Sequence, residues 1–459
     1  MQLQKGQTIT TEITKLAFGG RGIGQLDDGR KVFVEGAIPG DKIECTLTKI
    51  KKNYAEADLV RIVAPAKNRI DAKCKHFDRC GGCKWQMLEY KDQLKYKEDQ
   101  VREALAHTGG LADSADLVKP IIGCDYPWLY RNKMEFSFGN ESKDDAEVRV
   151  GLHPAGRRVD VFDVEECFIG SEIAAEILLR VRTFVRDHKL SFYNHKTDTG
   201  LLSSLFIREG KNTGEIMINL VTCSSEFKHK KEFVELFQDL PEVTSIYWTA
   251  IKRKRGVPTQ HYENLLYGKP TMEEELKRPD GTSLKFKISP QSFFQPNTKQ
   301  AEVLYAEVLK AAELTGEQNV FDLYCGTGTI GLFCSNNAKM VYGIELNESA
   351  VKNAKQNMIL NGIENAWFKA GNVDAKLYDI PAVPDVVIVD PPRSGLGEKV
   401  VEKVCGFDPK KIVYVSCDPV NLARDIKFFA ERGYKLSYVQ PVDMFPHTYH
   451  IENVALLVR

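Results

Sequence analysis

Three textures of hydrophobic and polar alternation follow one another along the chain. Residues 1 to about 65 carry short alternating runs, TITTEITKLAF, KVFVEGAIPG, DKIECTLTKI and YAEADLVRIV, separated by GGRGIG, DDGR and PGD. Period-two alternation broken by glycine-rich turns predicts closely spaced strands, here a five-stranded OB-like barrel. From about 66 to 285 the pattern is mixed. MEFSFG, VRVGLH, SLFIREG and EIMINLVT alternate as antiparallel strands do. EYKDQLKYKEDQVREALAHTGG (89–110) predicts a helix with Leu94, Val101 and Leu105 near one face, stopped by two glycines and expected to pack on the last region. From about 286 to 459 strand-like and helix-like runs take turns: NVFDLYCG, MVYGIEL, AWFKAGNV, DVVIVDPP, KIVYVSCDP, then YKLSYVQPV and NVALLVR. That rhythm predicts βαβ units and a mostly parallel, doubly wound α/β sheet.

Composition narrows the class. A chain of 459 residues exceeds one ordinary core. No apolar run approaches the ~18 residues of a bilayer span, and MQLQKGQTIT lacks an apolar signal segment. A soluble, cytoplasmic protein without membrane contact, acting as a monomer, is expected. The formal net charge of zero excludes a uniformly basic coat for nucleic acid but leaves room for patches. Residues 1–70 hold 12 Lys and Arg against 8 Asp and Glu. There Lys49, Lys51 and Lys52 lie beside Tyr54, a set suited to gripping phosphate while a ring stacks on a base; a solvated loop is the plainer reading. IKRKRG (Lys252, Arg253, Lys254, Arg255) is the densest positive run and is given a minor RNA contact.

In a doubly wound sheet, ligands bind beyond the carboxyl ends of the strands. Five consecutive runs deliver functional groups to that rim. Asp322 and Tyr324 precede the turn CGTGT; Glu345 follows about 20 residues later, where an acidic residue grips ribose hydroxyls. Asn372, Asp390 and Cys417 end the next three runs. NAD is the rival cofactor, but the carboxylate Asp322 stands just before the glycines, which favours a cofactor without a pyrophosphate. DLYCGTGTIGL resembles motif I of the class I S-adenosylmethionine methyltransferases. Cys325 and Cys334 read as buried small hydrophobes.

DPPRSG resembles the DPPY-type signature of amino methyltransferases, with Arg393 where an aromatic residue would stack the base. Amino methylation needs no thiol. Methylation of uracil C5 does: a thiolate added to C6 makes C5 nucleophilic, and a base must then remove the C5 proton. Cys417 is the candidate nucleophile. Glu452 directly precedes the last apolar run, which would return antiparallel beside the fifth, and is the candidate base; His447 and His450 rank below it.

SCDP followed 35 residues later by HIE, with DLYCGTG, GIELN, DPPRSG and SPQSFFQPN upstream, resembles the RNA 5-methyluridine methyltransferases acting on 23S ribosomal RNA and transfer RNA. The resemblance covers essentially the whole chain, since the front region resembles the TRAM module. It implies Cys417 as nucleophile, Glu452 as base, and Gln295, Tyr324, Glu345, Asn372 and Asp390 as contacts to S-adenosylmethionine. Asp418 stands where many relatives have Asn, and a carboxylate there opposes thiolate formation. Phe293 and Phe294 are candidates to hold the flipped base or its neighbour, or else core.

Eleven cysteines in such a chain read as ligands, a nucleophile and packing rather than disulfides. Cys74, Cys80 and Cys83 form C-x5-C-x2-C, and Cys167 lies in VEECFIG. Four thiolates suit zinc or an iron–sulfur cluster. The array resembles the [4Fe–4S] site of the ribosomal RNA branch, so a cluster-bearing central α+β domain is expected, with zinc as the alternative and ribosomal RNA preferred over transfer RNA. Cys45, Cys124, Cys223 and Cys405 are isolated and read as packing. A noncatalytic Fe–S RNA-binding protein is the reading from a different class; the intact Cys417 and Glu452 oppose it.

Overall fold

The computed structural model describes residues 3–111, 114–142, 147–224, 226–254 and 257–459. β1 (Thr8–Leu16), β2 (Gly22–Gln25), β3 (Lys31–Val34), β4 (Lys42–Ile50) and β5 (Tyr54–Ala64) close a barrel in the order β1-β2-β3-β5-β4. Its alternation works as read: Ile13, Val32, Val34, Ile43, Cys45 and Leu47 fill the interior. The expected phosphate grip is reduced, because Lys49 Nζ is bound to Glu56 Oε1 at 2.8 Å and Tyr54 packs edge-on against Phe33. Lys51 and Lys52 remain exposed.

After α1 (Tyr90–His107) comes a seven-stranded sheet of order β12-β11-β10-β9-β6-β7-β8. It is built from β6 (Lys133–Gly139), β7 (Arg149–Leu152), β8 (Phe162–Asp163), β9 (Leu202–Glu209), β10 (Ile216–Thr222), β11 (Val243–Lys254) and β12 (Val257–Gly268), with α2 (Glu172–Asp187) and α3 (Lys230–Glu235) on one face. The antiparallel reading holds except for β10 and β11, which run parallel because α3 carries the chain back between them. The basic run ends β11; its Arg255 lies outside the described residues. A hairpin, β13 (Met272–Lys277) and β14 (Ser283–Ile288), follows.

The last sheet contains β15 (Asn319–Leu323), β16 (Met340–Glu345), β17 (Ala366–Ala370), β18 (Val386–Val389), β19 (Lys411–Ser416), β20 (Lys435–Val442) and β21 (Glu452–Val458), in the order β17-β16-β15-β18-β19-β21-β20. Around it lie α4 (Thr298–Ala312), α5 (Thr329–Cys334), α6 (Glu348–Leu360), α7 (Val373–Lys376), α8 (Glu398–Gly406) and α9 (Pro419–Ala430). Strands covered on both faces need apolar residues at every position, as VVIV of β18 shows. Only β21 is antiparallel to β19, with Ser416 opposite Asn453.

α1 packs on α9 and joins this last layer. Its buried face is not the stripe expected. Leu94 is only half-buried, and Gln93, Lys97 and Gln100 lie inward with Val101, Ala104 and Leu105. Gln93 and Lys97 are held by the segment between β20 and β21, and Gln100 donates to the Ala17 carbonyl. Lys97 Nζ donates to Asp443 Oδ1 at 2.6 Å and to the Phe445 carbonyl at 3.1 Å, and both charged side chains are 0% exposed. Tyr90 donates its hydroxyl to Asp443 Oδ2, and Gln93 Oε1 accepts the His447 amide.

Removing one partner of such a pair strands a charge away from water. Lys97→Ala is expected to lower stability by about 3–5 kcal/mol in urea unfolding. Lys97→Met combined with Asp443→Asn should recover part of that loss; equal stability of Lys97→Ala and the parent would contradict the assignment.

Candidate active site

The carboxyl ends of the parallel strands open on one cleft of about 900 Å3. Gln295, Tyr324, Glu345, Asn372, Asp390, Cys417 and Glu452 all line it. Each arrives for a local reason. The turn after β15 needs left-handed backbone at Tyr324 (φ 66°), Gly326 (54°) and Gly328 (77°). At Gly328 a side chain would also sit 2.9 Å from the Phe368 ring, so only glycine fits. Gly326 donates its amide to Glu345 Oε2 and Asn347 donates to Oε1, which fixes the Glu345 carboxylate at the rim. Asn372 caps α7 by accepting the Asp374 amide, which leaves its NH2 for other partners. Gln295 is held through its carbonyl, which accepts from Asn132 Nδ2 at 2.8 Å.

Asp322 does not reach the cleft. It is fully buried within β15, where Oδ2 accepts the Gly331 amide of α5 at 2.9 Å and Oδ1 has no partner among the described residues. Burial raises its carboxyl to about 7. It braces the turn rather than touching a ligand.

The β19–β21 ladder brings the candidate nucleophile and base together. Ser416 pairs with Asn453, so Cys417 and Glu452 face each other one step further on. Burial pushes the Cys417 thiol up to about 12, and the Glu452 and Asp390 carboxyls add to the rise. Glu452, 5% exposed, is itself held well above the usual carboxylate range by burial and then by Asp390. Asp390 rises to about 7 through burial. Arg393 opposes these shifts on both Cys417 and Glu452.

Asp418 opposes ionisation of Cys417 as the sequence indicates, but it is the smallest of the named influences. Its carboxylate is engaged elsewhere, accepting the Val420 and Asn421 amides as the N-cap of α9 ahead of Pro419. Of the two histidines, His450 lines the cleft, where burial and Arg393 push it down to about 4. His447 lies outside the cleft, stacked on Trp128 at 3.6 Å and hydrogen-bonded to Gln93. Phe293 is exposed at the cleft, whereas Phe294 is core.

Cys74, Cys80, Cys83 and Cys167 line a second cavity of about 320 Å3 that shares Gly82 and Arg131 with the cleft. Among the described residues no three His, Cys, Asp or Glu side chains are grouped closely enough to hold a metal ion, so the thiols surround the cavity without converging on one point. Burial raises Cys74, Cys80 and Cys83. Of the cysteines read as packing, Cys45 and Cys124 are buried, while Cys223 and Cys405 are half-buried.

Sequence reasoning assigned no role to Arg393, Arg131 or Asn353, all of which line the cleft. Arg393 carried a signal, a cation where an aromatic residue was expected beside a thiol and two carboxyls. Arg131 and Asn353 carried none.

The strand order, with β21 reversed between β19 and β20, is that of the class I S-adenosylmethionine-dependent methyltransferases. Across residues 257–459 the chain matches the model of the tRNA (uracil-5-)-methyltransferases, and across 2–60 that of the TRAM domain. An RNA methyltransferase of Clostridium tetani is 38% identical over 99% of this chain and 97% of its own length. Another, from Caldanaerobacter subterraneus subsp. tengcongensis, is 39% identical over the full length of both chains. The Pyrococcus abyssi tRNA (uracil-54, C5)-methyltransferase, solved in complex with S-adenosyl-L-homocysteine, superposes with a TM-score of 0.77 at 28% identity, covering 98% of this chain and 100% of that one. The chain belongs to the RNA (uracil-5-)-methyltransferase family.

With the thiol at about 12, alkylation of Cys417 by iodoacetamide in the cofactor-free protein should rise about tenfold per pH unit between pH 7 and 10, read by peptide mass mapping. A plateau below pH 9 would overturn the placement. Arg393→Gln should slow labelling further at every pH.

Proposed function

We propose that the cleft methylates C5 of an RNA uridine through a covalent adduct on Cys417. The observation that supports this most is that Cys417, just past the end of β19, and Glu452, the first residue of the adjacent β21, line one cleft in which the Glu452 carboxyl acts on the thiol, together with Gln295, Tyr324, Glu345, Asn372 and Asp390. Those five residues would hold S-adenosylmethionine, which supplies the methyl group as an electrophile. A cation among Glu345, Asp390 and Glu452 offsets their mutual repulsion and eases ionisation of thiol and carboxyl.

The target base must leave its stack to enter the cleft. The Cys417 thiolate, favoured by Arg393, forms a bond to C6 and places negative charge on C5 and O4. After C5 has been methylated, the Glu452 carboxylate takes the C5 proton, the C5–C6 double bond re-forms, and the thiolate departs. No electrons are gained or lost by the protein. Phe293, exposed at the cleft, is placed to contact the base or its neighbour.

The cysteine cavity bears on the RNA class. A zinc ion binds thiolates at ~2.3 Å and would draw four sulfurs into near contact. The four thiols line one cavity of about 320 Å3 and would hold the group there, and a [4Fe–4S] cluster is the one the array resembles, with zinc the alternative. Its role is structural, ordering Gly82 and Arg131 at the cleft's edge. Ribosomal RNA is the first substrate reading, on that array. Transfer RNA is the second, favoured by the solved tRNA enzyme. The protein would act as a cytoplasmic monomer.

Incubated with S-adenosylmethionine and 5-fluorouridine RNA, the parent should give an adduct that survives a denaturing gel, and Cys417→Ala should give none. Glu452→Gln should accumulate adduct on ordinary RNA while turnover falls at least 100-fold; turnover at the parent rate would assign the base elsewhere. Anaerobically purified protein should contain four iron and four sulfide per chain, lost together in Cys80→Ser, and zinc at one per chain would replace the cluster reading.

A further inference from the structure

Outside the cleft lies another cavity of about 680 Å3, on the α3 side of the central sheet. It opens where the chain makes its one parallel crossover in that sheet, β10–α3–β11, and Cys223 and Ser224, just past the end of β10, form part of its wall. Carboxyl ends of parallel strands are where α/β units place ligands. We infer that this cavity, formed by Tyr193, Lys230, Trp248, Lys252, Tyr262 and Asn264, binds an unpaired nucleotide of the RNA whose uridine occupies the cleft. The inference rests on the RNA-methylation reading above.

The chemistry of the lining carries it. Tyr262 is 53% exposed and presents a ring. Trp248 is fixed behind it: its indole donates to Thr222 Oγ1 at 2.8 Å, and Lys230 Nζ stands 4.3 Å above its ring centroid. Lys230 and Lys252 are exposed, and neither forms an ion pair among the described residues. The exposed Tyr262 ring can stack on any base beside ammonium groups that hold phosphate, which is what single-stranded nucleic acid requires. Buried Trp248 serves as wall, and Asp198, also in the wall, accepts the Tyr193 hydroxyl.

Position links the cavity to the chemistry. β12 is the edge strand, and alternate side chains of a strand face opposite sides. Glu263 turns one way, towards Gln291, which lines the cleft. Its neighbours Tyr262 and Asn264 turn the other way into the cavity. An RNA strand leaving the cleft beside Gln291 therefore reaches the cavity by crossing a single β-strand.

Fluorescence anisotropy with a labelled single-stranded RNA that carries the target uridine tests this on the full chain. Tyr262→Ala and Lys252→Glu should each weaken binding about tenfold, and Tyr262→Phe should stay within twofold of the parent. Lys231→Glu, an equal charge change outside the cavity, should also stay within twofold. Unchanged affinity for S-adenosylhomocysteine in each variant shows that the cleft is intact. RNA affinity within twofold of the parent in both Tyr262→Ala and Lys252→Glu overturns the inference. RNA that binds the parent but is never methylated overturns the function proposed above and leaves this measurement decisive for the cavity.

Discussion

A charge pair sealed from water, Lys97 with Asp443, is the contact on which the site's geometry depends. Two ions in a dry interior are tolerable only if every remaining lone pair and proton is used. Most are used here: Asp443 also accepts from Tyr90 and from the Phe445 amide, and Lys97 donates to the Phe445 carbonyl. The network then spreads through the loop that precedes β21. The His447 carbonyl accepts the Lys84 and Trp85 amides, which directly follow Cys83, and Gln300 of α4 donates to the Asp443 carbonyl. Three segments far apart in the chain thereby hold the stretch that delivers His450 and Glu452. Positioning of this kind, rather than burial alone, sets where Glu452 stands relative to Cys417.

The electrostatics of the cleft point to a cationic guest. Asp390, Glu452 and the Cys417 thiol are crowded into one enclosure, and each is driven towards its neutral form. Arg393 is the cation of the lining that acts on both Cys417 and Glu452. Left to itself such a group of acids is poorly reactive. A positive charge placed among them would favour their ionised forms.

Much of the sheet and its rim was legible in the chain. Strands covered on both faces must be continuously apolar, so their ends, and the polar residue that follows each, stand out. The pairing of β21 with β19 followed from the same logic and placed Glu452 beside Cys417. The face of α1 was not legible, because Gln93, Lys97 and Gln100 imitate a solvent-facing stripe; Asp443 and His447, which bind Lys97 and Gln93, lie some 350 residues away, and Ala17, which binds Gln100, lies 83 residues back. The parallel β10–β11 pair was hidden because α3 is only six residues long. Asp418 opposes ionisation of Cys417 as read, but its second role was overlooked: Asp followed by Pro is a helix-cap signature, and the carboxylate accepts two amides at the start of α9. Phe293 and Phe294 divided between cleft and core, a distinction that adjacent identical residues cannot announce.

β21 has a consequence for handling the protein. Its Val454–Val458 run carries no charge and no proline, and it lies between β19 and β20. A segment of that composition, exposed before its neighbours close on it, is a seed for intermolecular pairing. The charges flanking it are Glu452 and Arg459. In the unfolded chain Glu452 is therefore a gatekeeper against aggregation as well as the residue facing Cys417. Removing that charge would leave Arg459 as the remaining guard on the run.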